Sequence, residues 1–103
     1  MSINLGEIST PVGTLRCSLR AWKTVNAYFG NYVEAFRRLA AFDVDAYLVV
    51  AAAGLGDEPK SVEGKVYDAG MVNLTNSFSE YVSLLSNGGR PVKDDEGTPK
   101  GEA

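Results

Sequence analysis

Histidine is missing from all 103 residues, and cysteine occurs once, as Cys17. Without histidine the chain lacks the commonest general base near neutral pH and the commonest zinc ligand. A lone cysteine cannot close an intramolecular disulfide, so nothing in its usage points to a secreted, stapled scaffold. Cys17 falls in a predicted strand, far in sequence from any group that would activate a thiolate, and reads as a small buried hydrophobe. Positive charge is also sparse, with 10 Lys and Arg against 13 Asp and Glu and a net charge of −3. Up to Gly56 the chain carries 5 basic and 4 acidic side chains, and beyond it 5 and 9. Neither part has the cation excess that would neutralise a row of phosphates, which argues against nucleic acid as the main partner. Long apolar runs are absent too. The longest, Ala46 to Leu55, is about half of what a membrane span needs. The first residues lack the basic-then-apolar pattern of a signal peptide. The expectation is a cytoplasmic chain with no membrane partner.

What is present is an ordinary globular composition, 45% hydrophobic and 22% charged, in a length that fits one domain. Two short runs, Leu5 to Ser9 and Thr14 to Ser18, flank Thr10-Pro11-Val12-Gly13. Pro11 presets φ for the second turn position and Gly13 suits the fourth, so this stretch predicts a β-hairpin. From Leu19 the period changes. Trp22, Val25 and Phe29, then Val33, Phe36 and Leu39, recur at helical spacing. Ser18 and Asn31 are placed as N-caps and Gly30 as a stop between two helices, the second running to about Ala41. Asp43 caps a third, apolar nearly all round and therefore central, with Asp45 at the positive end of its dipole. It ends at Gly54-Leu55-Gly56.

A polar loop, Asp57 to Lys60, leads to a short helix from Ser61 that stacks Val62 on Val66 and stops at Gly70. The last helix runs from about Asn73 to Asn87, with Met71, Leu74, Phe78, Val82 and Leu85 as its stripe and Tyr81 at the edge. From Gly88 the sequence turns polar, with Val92 and Ala103 its only apolar residues. The fold class expected is mainly α, a compact bundle of about five short helices with a small N-terminal hairpin. Residues 1–87 form that single domain, and residues 88–103 form a disordered acidic tail.

Several groupings resemble chemistry without supporting it. Asp43 and Asp45 point to different sides of a helix start and serve as caps. Asp94, Asp95 and Glu96 are a solvated charge run. The stretch Gly54-Leu55-Gly56-Asp57-Glu58-Pro59-Lys60-Ser61 nearly fits the phosphate loop G-x-x-x-x-G-K-[ST]. Pro59 replaces the second glycine and has no N–H to offer, Asp57 and Glu58 would repel phosphate, and the stretch follows a helix rather than a strand. No catalytic, cofactor or metal site is expected, and no small-molecule substrate. The chain reads as a binder of other proteins, not an enzyme. Aromatic and basic residues on the helices are the candidates for that surface: Tyr28, Tyr32 and Tyr47 lie off the main stripes, where an amphipathic ring suits an interface. Phe78, Tyr81 and Leu85 belong to the last helix, and Arg37 and Arg38 could meet partner carboxylates.

One resemblance runs along most of the chain. Gly6-Glu7-Ile8, the turn at Pro11-Val12-Gly13 and Leu15-Arg16-Cys17-Ser18-Leu19-Arg20-Ala21 precede an aromatic helix ending at Gly30. Val49-Val50-Ala51-Ala52-Ala53-Gly54-Leu55, Val66-Tyr67-Asp68-Ala69-Gly70 and a helix to Gly88-Gly89 follow. This order resembles the small tail assembly chaperones of bacteriophages and gene transfer agents. The resemblance implies binding to the tape-measure protein, with other tail proteins as further candidate partners, in the host bacterial cytoplasm during tail assembly. A homo-oligomer is compatible with it. The alternatives are a structural tail protein associated with the tube, or an unrelated protein-binding regulatory module.

Overall fold

The computed structural model describes residues 6–90. Strands β1 (Glu7–Thr10) and β2 (Gly13–Arg16) pair antiparallel, with Thr10 opposite Gly13 and Glu7 opposite Arg16. A loop of Pro11 and Val12 joins them. Pro11 cannot take the positive φ that a primed hairpin turn requires. Gly13 supplies the unusual torsion instead, at φ 127°. Thr10 stabilises the corner, its hydroxyl donating to the Gly13 carbonyl at 2.7 Å and accepting from the Val12 N–H at 3.1 Å.

Five α-helices follow, as the sequence predicts: α1 (Leu19–Phe29), α2 (Tyr32–Ala40), α3 (Val44–Leu55), α4 (Glu63–Ala69) and α5 (Met71–Ser86). A 3-10 turn, Pro59–Val62, leads into α4. The cap positions read from the sequence hold. The side chains of Ser18, Asn31 and Asp43 accept from the N–H groups of Ala21, Glu34 and Asp45, each giving a partner to an N–H that the helix leaves unpaired. Two helix starts differ from the prediction. α4 begins after the 3-10 turn rather than at Ser61, and α5 begins at Met71 rather than Asn73. At the second of these, Gly70 ends α4 and starts α5 in one residue, and the Asn73 amide returns to the Ala69 carbonyl at 2.9 Å.

α2 closes in an unusual way. Phe42 occupies the left-handed region at φ 59°, a place that glycine normally fills. Around it the Phe42 N–H donates to Leu39 and the Asp43 N–H donates to Arg38, at 3.1 and 3.0 Å. These two bonds are the crossed pair of a Schellman cap.

α3 is the centre of the molecule and packs against β2, α1, α2, α4 and α5. Ala46, Tyr47, Val49, Val50, Ala51, Ala52 and Gly54 are all buried along it, as expected of a helix that is apolar all round. The hairpin lies directly on this helix. A β-carbon built on Gly54 would stand 2.6 Å from the Leu15 β-carbon and 3.1 Å from its α-carbon. A glycine inside a helix costs about 1 kcal/mol relative to alanine. Here it lets a strand approach the helix backbone.

The fold continues past the predicted boundary at residue 87. Gly88, Gly89 and Arg90 return across the hairpin's start, with the Gly89 N–H donating to the Leu84 carbonyl at 2.8 Å. Gly89 is buried, and a β-carbon on it would meet Gly6 and Cys17, each at 3.5 Å. Residues 88–90, expected to begin the tail, thus have a described path, in which Gly89 packs against the hairpin's start while Gly88 and Arg90 stay exposed. The remainder of the expected tail, 91–103, lies outside the described residues. No helix among the described residues is long and apolar enough to cross a membrane.

Candidate protein-binding surface

Half of the surface predicted from the sequence is interior. Tyr47, Phe78 and Tyr81 have no exposed area, and Leu85 is 2% exposed. Tyr47 stacks on Phe78 with ring centroids 5.5 Å apart. Its hydroxyl donates to the Leu39 carbonyl at 2.7 Å and lies 3.0 Å from the Thr75 hydroxyl. Tyr81 reaches from α5 to the hairpin, donating to the Arg16 carbonyl at 2.7 Å. Burial pushes both phenols above their ordinary pKa, Tyr47 being partly offset by its bond to Thr75. These hydroxyls join separate elements through backbone carbonyls. An off-stripe tyrosine is thus explained by a buried polar partner, not by a wet surface.

The other predicted residues stay at or near the surface. Tyr28 is 42% exposed and meets Phe29 edge to face at 4.8 Å. Tyr32 is half-buried, and its hydroxyl donates to the Trp22 carbonyl at 2.9 Å, tying α2 to α1. Its pKa is raised, first by burial and then by the nearby Cys17 thiol. Arg37 and Arg38 are engaged within their own helix. Both pair with Glu34, and Arg38 also reaches Asp43 at 3.4 Å. Hydrogen bonds from Arg37 and Arg38 hold the Glu34 carboxyl at about 2, below its ordinary 4.5. The Arg38 guanidinium also lies 5.8 Å from the Tyr28 ring centroid and 5.9 Å from that of Phe29, within cation–π range. A partner carboxylate would have to compete with these contacts.

What the sequence reading missed is Trp22. Its spacing with Val25 and Phe29 places it on a core stripe, but α1 buries Ala21, Val25 and Phe29 instead. Those residues recur at i, i+4 and i+8, an equally regular pattern that was the available signal. Trp22 is left 45% exposed and Leu19, one turn earlier, 70%. Together they border an open groove of about 610 Å³ between the start of α1 and the end of α5. Cys17, Leu85 and Gly89 line its apolar part and Arg90 its rim. Cys17 is a free, half-buried thiol whose pKa burial raises, so nothing here activates it.

A second groove, of about 510 Å³, runs along the opposite flank of α1 past Arg20, Thr24 and Tyr28 to Asp57, Glu58 and Pro59. The near-match to a phosphate loop ends in this region and behaves as its chemistry demands. Gly54 is inside α3, Pro59 opens a 3-10 turn, and the Ser61 N–H is spent on the Glu58 carbonyl at 2.9 Å. Among the described residues no group of three or more His, Cys, Asp or Glu side chains is placed to hold a metal ion. Compared with known protein families, with curated proteins and with solved structures, the chain matches none.

Proposed function

We propose that this chain works by holding another protein, as a tail assembly chaperone whose client is the tape-measure protein. The observation that carries the binding part is the groove beside α1, where Trp22 and Leu19 remain exposed next to buried apolar walls. Tryptophan is enriched among the residues that dominate protein interfaces, and an apolar cleft beside it is where a partner's side chain would be anchored. The partner's identity rests on the sequence resemblance. A tape-measure protein is a long, helix-prone chain whose apolar stripes would aggregate before the tail tube forms around it. Covering one stripe until assembly needs a surface and no reactive side chain, so no chemical step is assigned to this protein. Its place of action is the host cytoplasm.

Co-expression with the tape-measure protein of the same genome tests the proposal. The client should remain soluble with this chain and precipitate without it, and the chain should be missing from purified particles. Retention in finished particles would favour a tube-associated structural role instead. A client equally soluble with and without it would overturn both tail readings and leave a regulatory protein-binding module.

A further inference from the structure

The groove beside Trp22 has an electrostatic sign that narrows what can enter it. We infer that it takes an amphipathic helical segment of the client whose apolar stripe is flanked by carboxylates. The inference rests on the protein-binding reading above and adds the chemistry of the bound segment.

Among the described residues no carboxylate lines the groove, whereas Arg90 does. The Arg90 guanidinium folds back over Gly88, its Nη2 being 3.1 Å from where a β-carbon of Gly88 would stand. Lys23 follows Trp22 and shares the exposed helix face of Leu19 at i, i+4. Neither Lys23 nor Arg90 has an ion-pair partner among the described residues, unlike Arg16, Arg37 and Arg38. The carboxylate closest in sequence, Glu7, is held by Arg16 at 3.0 Å. α1 has no acidic residue in its first turn, and its positive end opens on the groove at Ser18 and Leu19. A chain of net charge −3 thus turns a locally positive face toward this cleft. Apolar contact with Trp22 and Leu19 would set affinity, and the cations would select acidic flanks and repel basic ones. The cleft lies between a helix start and a helix end, and a stripe at i, i+3, i+4 and i+7 is the natural filler of such a site.

Trp22 is the chain's single tryptophan, so its fluorescence reports on this groove alone. The full chain is titrated with a synthetic helix carrying Leu at i, i+3, i+4 and i+7 and Glu on both flanks. A twin with Lys for Glu and vesicles of anionic lipid are the other arms. The acidic peptide should shift Trp22 emission to the blue, and the basic twin should bind about tenfold more weakly or worse. The double variant Lys23→Glu, Arg90→Glu should invert that preference while far-UV circular dichroism stays unchanged. Leu19→Glu puts a carboxylate where the helix dipole favours one, so α1 should persist while the shift disappears. Equal binding of both peptides, an unchanged ratio in the double variant, or a shift with vesicles alone would overturn the inference. If the tape-measure protein is kept soluble while Trp22 emission does not move, the surface is wrong and the assembly role stands. If the acidic peptide shifts Trp22 but that client is not held, the surface stands and the client is wrong.

Discussion

Gly54 has no intrinsic reason to be in the interior of α3, and its value appears only in what touches it. Alanine there would gain about 1 kcal/mol of helix propensity. Its methyl group would stand 2.6 Å from the Leu15 β-carbon, so strand and helix would have to separate. The overpacking should dominate, and Gly54→Ala is expected to destabilise the fold by about 1–3 kcal/mol in urea melts. The tyrosines make a second contrast. Tyr47→Phe leaves its ring in place but strips partners from Leu39 and Thr75, an expected loss of about 1–2 kcal/mol. Tyr32→Phe removes one exposed bond to Trp22, which water can replace, so a loss under about 0.5 kcal/mol is expected. Paired thermal melts separate these cases. No inspection of periodicity would have ranked them, because what differs is a carbonyl supplied by another element. The helix caps at Ser18, Asn31 and Asp43 were legible for the opposite reason: donor and acceptor lie within three residues of each other.

Among the elements, α2 depends most visibly on pH. Glu34 is in its first turn, where the helix dipole already favours a carboxylate, and Arg37 and Arg38 bind it from the following turn. Its carboxyl is held at about 2 against an ordinary 4.5, so the folded state favours the ionised form. The resulting stabilisation is fully present above about pH 4.5 and is lost as pH falls toward about 2. The thermal midpoint should therefore drop across that interval, and Glu34→Gln should flatten the drop. A profile identical in the variant would mean that other carboxylates carry the acid response. α1 shows where element-scale reading runs out. Its sequence allows two regular stripes that share Val25 and Phe29, one starting at Trp22 and one at Ala21. In the folded chain Ala21 is the one turned inward, and Trp22 stays 45% exposed.

The whole molecule was legible in outline. The alternation between cap, stripe and glycine stop fixed helix number and order, and the apolar character of α3 marked the core. The groove was not, because Gly6, Cys17 to Trp22 and Leu85 to Arg90 converge there from three distant parts of the chain. Residues 88–90 looked like the start of a polar tail, yet they complete one side of it. The binding surface proposed at this scale is the groove where Trp22 and Leu19 stay exposed and Arg90 is among the lining residues. The measurement that tests this account most directly is the emission spectrum of Trp22 in the co-purified complex with the tape-measure protein, compared with the chain alone. The expected result is a soluble complex in which the emission maximum moves to the blue and the indole is protected from a water-borne quencher. A soluble complex with unchanged, fully quenchable emission, or no complex at all, would contradict it.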